Sequence, residues 1–178
     1  ISPATQSIQP GDVILVNGFL GNHGAAIMVA REDLALTTTI ESDCQPLSGL
    51  VEAILAVCPQ VRAMRDATRG GLATVLNEFA QSAGVGIRLE ESALPIQPEV
   101  EGLCELLGLD PLYLANEGKL VVVVPRSHSE TVLAAMQAHP MGKESQIIGT
   151  AIAEPSGFVF LKTAFGTERI LDLLVSDP

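Results

Sequence analysis

The sequence predicts an α+β fold in a three-layer α/β/α arrangement, with a mixed sheet between layers of helices. Three observations carry this reading. Short β-branched runs alternate with helical patterns along the chain. Two stretches, around residues 61–90 and 119–153, each run strand, helix and returning strand, the pattern of a β-α-β unit. Hydrophobic residues make up 47% of the 178 residues but aromatics only 3%, so the core must be built mainly from Ala, Val, Leu and Ile. The length fits one domain and is ample for a continuous core.

Taken in order, Pro10-Gly11 turns into Asp12–Asn17, a β-branched run closed by Gly18 that reads as a buried strand. Gly21-Asn22-His23-Gly24 then opens an Ala-rich helix over Ala25–Glu32. From Asp33 to Ser48, three threonines followed by acidic and turn residues show no period, and we expect mostly loop. Leu50–Val57 is helical in pattern and stops at Pro59. Val61–Asp66 reads as a short strand. Thr68-Arg69-Gly70-Gly71 leads into Leu72, Val75, Leu76 and Phe79, which share one helical face up to Gly84. Val85, Ile87 and Leu89 alternate with Gly86, Arg88 and Glu90 as in a half-buried strand, broken at Leu94-Pro95. Val100, Leu103, Cys104, Leu106 and Leu107 suggest a helix ended by Gly108. Lys119–Pro125 is a strongly apolar strand, Ser127–Ala138 a helix and Ser145–Ala153 a strand. Phe158–Leu161 and Arg169–Leu174 supply further strand and tail elements.

Ten basic against 21 acidic side chains give a net charge of −11, which repels nucleic-acid phosphates and anionic lipid, so neither is an expected partner. No apolar run approaches the roughly 20 residues that span a bilayer. The start, Ile1-Ser2-Pro3, has neither an initiator Met nor a signal-peptide pattern, and we expect an excised fragment, with residues 1–10 a leader or interdomain linker and 11–178 the domain proper. Cys44, Cys58 and Cys104 are odd in number and lack metal-ligand spacing, so we expect reduced thiols, with Cys44 the exposed one and no metal site.

Three clusters carry chemical signal. Asp66-Ala67-Thr68-Arg69-Gly70-Gly71 places a carboxylate, a hydroxyl and a guanidinium at a strand end; the glycines would let the backbone approach a ligand, and the following helix offers free N–H groups to an anion. A capped tight turn explains the same residues. No P-loop or G-x-G-x-x-G spacing is present. Gly18-Phe19-Leu20-Gly21-Asn22-His23-Gly24 is a second glycine-rich turn, whose His either donates to a phosphate or caps the helix. Leu114-Ala115-Asn116-Glu117-Gly118-Lys119 sets an amide and a carboxylate just before the most apolar strand, suited either to a base at the mouth of a buried sheet or to a solvated turn.

In this order and separation, GNHGAAIMVARE, RDATRGGLATVLNEFA and ANEGKLVVVVP resemble the C-terminal domain of the aminoimidazole ribonucleotide synthetase (PurM) superfamily, and within it the HypE family of hydrogenase maturation factors. The resemblance runs from Pro10 to about Leu174. It implies a PurM C-terminal-domain-like sheet whose two β-α-β units are partly ferredoxin-like in layout. It also implies a cytoplasmic, homodimeric, ATP-dependent dehydratase that converts a carbamoyl group on its own C-terminal cysteine to thiocyanate. The carbamoyltransferase HypF loads that thiol, and the cyanide passes to a HypC–HypD scaffold for NiFe hydrogenase. By this resemblance Glu117 and Asn116 match the carboxamide-handling motif, with Glu117 the expected base. Asp66, Thr68, Arg69, Gly70 and Gly71 match the glycine-rich cleft turn, and Asn22 and His23 the first turn. ATP and Mg2+ are expected mainly on an N-terminal domain that this chain lacks. The family's Pro-Arg-Ile-Cys tail is also missing, because the sequence stops at Asp177-Pro178, and Asn22 stands where an Asp is usual. Selenophosphate synthetase, thiamin monophosphate kinase and a non-catalytic partner-binding module are the alternatives.

Overall fold

A strand covered on both faces has no polar side to show, and the two least polar runs of the chain, Val13–Val16 (β1) and Leu120–Val124 (β4), are buried at every residue. They pair antiparallel near the middle of a seven-stranded sheet of order β2-β4-β1-β5-β3-β6-β7. The structure, a computed structural model, describes residues 7–31, 40–42 and 44–173. Residues 1–6 of the expected leader, 33–39 and Asp43 of the expected loop, and Leu174 of the expected tail lie outside the described residues.

The alternation of side chains along β1 and β4 defines the layers. Ile14, Val16, Val121 and Val123 point to one side, where they pack with Leu72, Leu76 and Phe79 of α3 (Gly71–Ala83). Val13, Leu15, Leu120, Val122 and Val124 point to the other, against Leu50 and Ile54 of α2 (Ser48–Val57) and Val132 and Met136 of α5 (Ser129–Ala138). Ala25 of α1 (Asn22–Arg31) meets Val100, Leu103 and Cys104 of α4 (Pro98–Leu107) in a third, smaller cluster. The expected three layers are present.

The remaining strands are β2 (Ala63–Asp66), β3 (Gly86–Glu90), β5 (Gln146–Ile152), β6 (Val159–Lys162) and β7 (Glu168–Ile170). Both expected β-α-β units exist, but neither sets its own strands side by side. β4 and β5 flank β1 antiparallel, so α5 connects two parallel strands with a third between them. β2 and β3 are likewise parallel, separated by β4, β1 and β5. β3 pairs parallel with β6, and β7 closes that edge antiparallel.

Element boundaries differ from the sequence expectation by a residue or a few, for local reasons. α4 starts at Pro98, where the missing proline N–H costs nothing, and α3 runs to Ala83 before Gly84 leaves it at φ +65°. Leu106 is 66% exposed, whereas Val100, Leu103 and Cys104 are buried. At 3.6 residues per turn it falls off their face, so it does not belong to the apolar pattern in which the sequence reading places it. The expected tail is a strand only to Ile170; Leu171 is then buried, and the Asn77 side chain donates to its carbonyl at 2.8 Å. No helix among the described residues is long and apolar enough to cross a membrane.

Phe79 is fully buried between α3 and the sheet. Phe79→Ala should lower unfolding stability by about 3–5 kcal/mol through lost burial and a residual cavity, whereas Leu106→Ala should change it by less than about 0.5 kcal/mol. Urea denaturation of the two variants measures the contrast.

Candidate functional site

Topology alone brings the three chemically marked turns together. β1 and β2 both lie antiparallel to β4, one on each side, with Val16 opposite Val121 and Asp66 opposite Leu120. The turns that leave β1 and β2 therefore emerge at the sheet end where residues 114–119 enter β4. The Ala67 N–H donates to the Lys119 carbonyl at 3.0 Å, and the Gly24 N–H to the Ala115 carbonyl at 2.9 Å.

At the centre stands Asn116, 2% exposed. Its Oδ1 accepts from the Gly21 N–H of the first turn at 2.8 Å. Its Nδ2 donates to the Ala67 carbonyl of the second turn at 2.8 Å and to the Leu114 carbonyl of its own at 3.2 Å. One side chain thus fastens three segments, and the amide expected to handle substrate is largely engaged with the protein.

The glycines at this junction answer to the chain's own backbone. Gly71 lies at φ +61°, and a Cβ there would sit 2.5 Å from the Leu112 carbonyl oxygen and 2.6 Å from that of Leu114. At Gly24 a Cβ would lie 3.0 Å from the Ala115 nitrogen. The glycines of the second turn suit either the approach of a ligand or a tight turn; for Gly71 the close neighbour is the 112–114 segment.

Glu117 is half-buried, while Asp66, Thr68 and Arg69 are exposed, and their side chains make no hydrogen bond or ion pair among the described residues. They lie at the rim of a junction whose centre is tied together by Asn116. His23 lies in the first turn of α1, and its Nδ1 is 2.8 Å from the Ser42 hydroxyl. Asn22 donates from Nδ2 to Gln97 Oε1 at 2.9 Å, leaving its buried Oδ1 without a partner among the described residues.

Asn17 belongs to none of the three marked clusters but bonds directly to the third. This residue, 2% exposed, ends β1, accepts from the Leu120 N–H at 2.7 Å, and donates to the carbonyls of Gly118 at 3.1 Å and Met141 at 2.9 Å. The available signal was a polar residue closing an apolar strand that the layers bury on both faces. Beside it, a cavity of about 260 Å³ is lined by Asn17, Gly18, Gln45, Lys119, Met141 and Lys143 among others. A second cavity, of about 350 Å³, lies between α4 and β6–β7 and touches none of the sequence-nominated residues.

Cys44 is exposed and Cys58 and Cys104 are buried, all three as free thiols. Burial pushes the Cys58 thiol up; burial, reinforced by the Asp110 and Glu101 carboxylates, does the same to Cys104. Both therefore stay protonated and unreactive near neutral pH. No group of three His, Cys, Asp or Glu side chains suited to a metal ion occurs among the described residues.

Residues 9–162 match the family model described as AIR synthase related protein, C-terminal domain. The chain belongs to this family. As an AIR synthase-related C-terminal domain, it is 57% identical over 174 residues to the carbamoyl dehydratase HypE of Rhodobacter capsulatus, covering 98% of this chain and 51% of that protein. It superposes on the crystal structure of a hydrogenase maturation protein HypE in complex with ATP at a TM-score of 0.92 and 37% identity, over 99% of this chain and 54% of the other. On HypE in a HypE–HypF complex the values are 0.90 and 44%, over 95% and 55%. The chain spans about half the length of the curated relatives it matches.

Two glycines with the same left-handed backbone separate strain from crowding. At Gly84 (φ +65°) a Cβ meets nothing within 4 Å, so Gly84→Ala should cost about 1–2 kcal/mol of backbone strain alone. At Gly71 the same change must also displace two backbone carbonyls, and we expect a loss of about 3 kcal/mol or more. Thermal unfolding of the pair tests the difference.

Proposed function

We propose that this chain is the C-terminal half of an ATP-dependent carbamoyl dehydratase of the HypE type, with Glu117 as its base. The observation that carries the reading is the Glu117 carboxylate, half-buried and unpaired among the described residues, where three turns are fastened around Asn116. The 57% identity to a carbamoyl dehydratase supports it. In this reading residues 11–178 form one domain behind a leader or linker, and a preceding domain supplies the Mg2+ ligands, most of the ATP site and the homodimer contacts. The protein works in the cytoplasm, takes its carbamoyl group from HypF and delivers cyanide to a HypC–HypD scaffold.

The chemistry explains the residue types. The oxygen of a cysteine S-carboxamide is a poor leaving group until ATP phosphorylates it. Both N–H protons must then leave nitrogen as phosphate departs and the C≡N bond forms, which gives thiocyanate, ADP and phosphate. A carboxylate can accept a proton from nitrogen at the step that closes the nitrile, and Glu117 is the group assigned to it. Phosphoryl transfer itself asks mainly for positioning and charge neutralisation. Arg69 supplies a guanidinium, unpaired among the described residues, beside the start of α3, whose first N–H groups favour an anion, and Thr68 adds a hydroxyl there. Asn116 holds the turns, and its role is positioning rather than reaction. Asp66, exposed at the end of β2 beside the entry to β4, faces the same junction.

Two measurements test this. In the full-length protein, Glu117→Gln should keep the fold and the carbamoyl loading of the terminal cysteine but largely stop its dehydration, so that mass spectrometry finds the carbamoyl adduct persisting instead of losing one water. Conversion at an ordinary rate would remove Glu117 as the base. The 178-residue chain alone should unfold cooperatively and show no ATP turnover; turnover comparable to the whole enzyme would overturn the division of the site between two domains.

A further inference from the structure

We propose that Asn17 is a positioning residue for Glu117, an inference that rests on the assignment of Glu117 as the base. Glu117 has no side-chain partner among the described residues to orient it, so its placement depends on the backbone that carries it. On the N-terminal side that backbone is held by Asn116, whose N–H and side chain both bond the Ala67 carbonyl. On the C-terminal side Asn17 grips the chain twice: Nδ2 donates to the Gly118 carbonyl at 3.1 Å and Oδ1 accepts from the Leu120 N–H at 2.7 Å. Its remaining Nδ2 hydrogen reaches the Met141 carbonyl at 2.9 Å, tying the turn to the segment after α5. Gly118 bends through φ +73°, so without these bonds the peptide after Glu117 would be free to pivot at a glycine. Gln45 adds a second donor to the Gly118 carbonyl at 3.0 Å.

Only a side chain with both a donor and an acceptor performs this task. In Asn17→Asp, one carboxylate oxygen keeps the Leu120 N–H while the other faces two carbonyl oxygens and repels them, which releases Gly118 with almost no change in volume. Gln45 lies on a half-exposed loop, and Gln45→Ala removes one of the two donors to Gly118 without opening the core.

The test is a double-mutant cycle in the full-length protein, with dehydration of the carbamoylated terminal cysteine followed by mass spectrometry in single-turnover reactions. Asn17→Asp should lower kcat by about 10–100-fold with KM for ATP within about two-fold of the parent, because a misplaced base slows chemistry without weakening nucleotide binding. Gln45→Ala should lower kcat in the same sense by about 2–5-fold, and it carries the cycle if Asn17→Asp fails to fold. In a Glu117→Gln background neither change should reduce the residual rate further, since both act through the missing carboxylate. An equal loss in both backgrounds, or a parental rate in Asn17→Asp, would mean that Asn17 only secures the strand end and would overturn this inference alone. A parental rate in Glu117→Gln itself would overturn the base assignment and this inference together.

Discussion

The site depends on the placement of β4 between β1 and β2, antiparallel to both. That arrangement sends the exits of two strands and the entry of a third to one end of the sheet, and the bonds of Asn116 to the first two turns follow from it. It is available because β4 is apolar on both faces: Val121 and Val123 serve the α3 side, and Leu120, Val122 and Val124 the α2–α5 side. A strand so buried must be central, and a central strand must take two neighbours. Asn116 converts the arrangement into a fixed geometry. Its three side-chain hydrogen bonds satisfy an N–H and two carbonyls that would otherwise be costly to bury, so structural necessity and site rigidity coincide in one residue.

Electrostatics adds selectivity at the rim. In a chain of net charge −11, several cations are already committed: Arg62 to Asp12, Arg65 to Glu78, Arg88 to Glu168, Lys162 to Glu90 and Arg169 to Asp110. Pairs with side chains as exposed as most of these contribute little to stability. They do leave Arg69, four residues beyond the paired Arg65, outside these bonds at the start of α3. Among the described residues no carboxylate pairs with this guanidinium.

How much of this was legible in the sequence divides along a physical line. Strand and helix identities were legible because they are local: the Val-rich runs, the Leu72–Phe79 face and the glycines at 84 and 108 each act within a few residues. Leu106 was misplaced because an apolar residue inside a helical stretch was counted without its angle. The three chemically marked turns were visible in composition, and the topology brings them together. Strand order was not legible, since β-α-β spacing is the same whether the returning strand lies beside its partner or one or three strands away. For the same reason the two readings of Gly71 could not be separated: the carbonyls that exclude a Cβ come from residues about 40 positions away, and no local signal distinguishes a neighbour of that kind from a ligand. Asn17 was passed over because its three partners lie more than 100 residues along the chain.

Those long separations have a kinetic meaning. The bonds of Asn116 to Ala67 and Gly21 close loops of 49 and 95 residues, and those of Asn17 to Gly118, Leu120 and Met141 close loops of 101, 103 and 124. Contacts of such span are entropically the slowest to form, and none can register before the strands that carry them have paired. A nascent or partly collapsed chain can therefore own every helix of this domain and still present Glu117 on a loose loop. Completion of the fold is what fixes the position of this carboxylate.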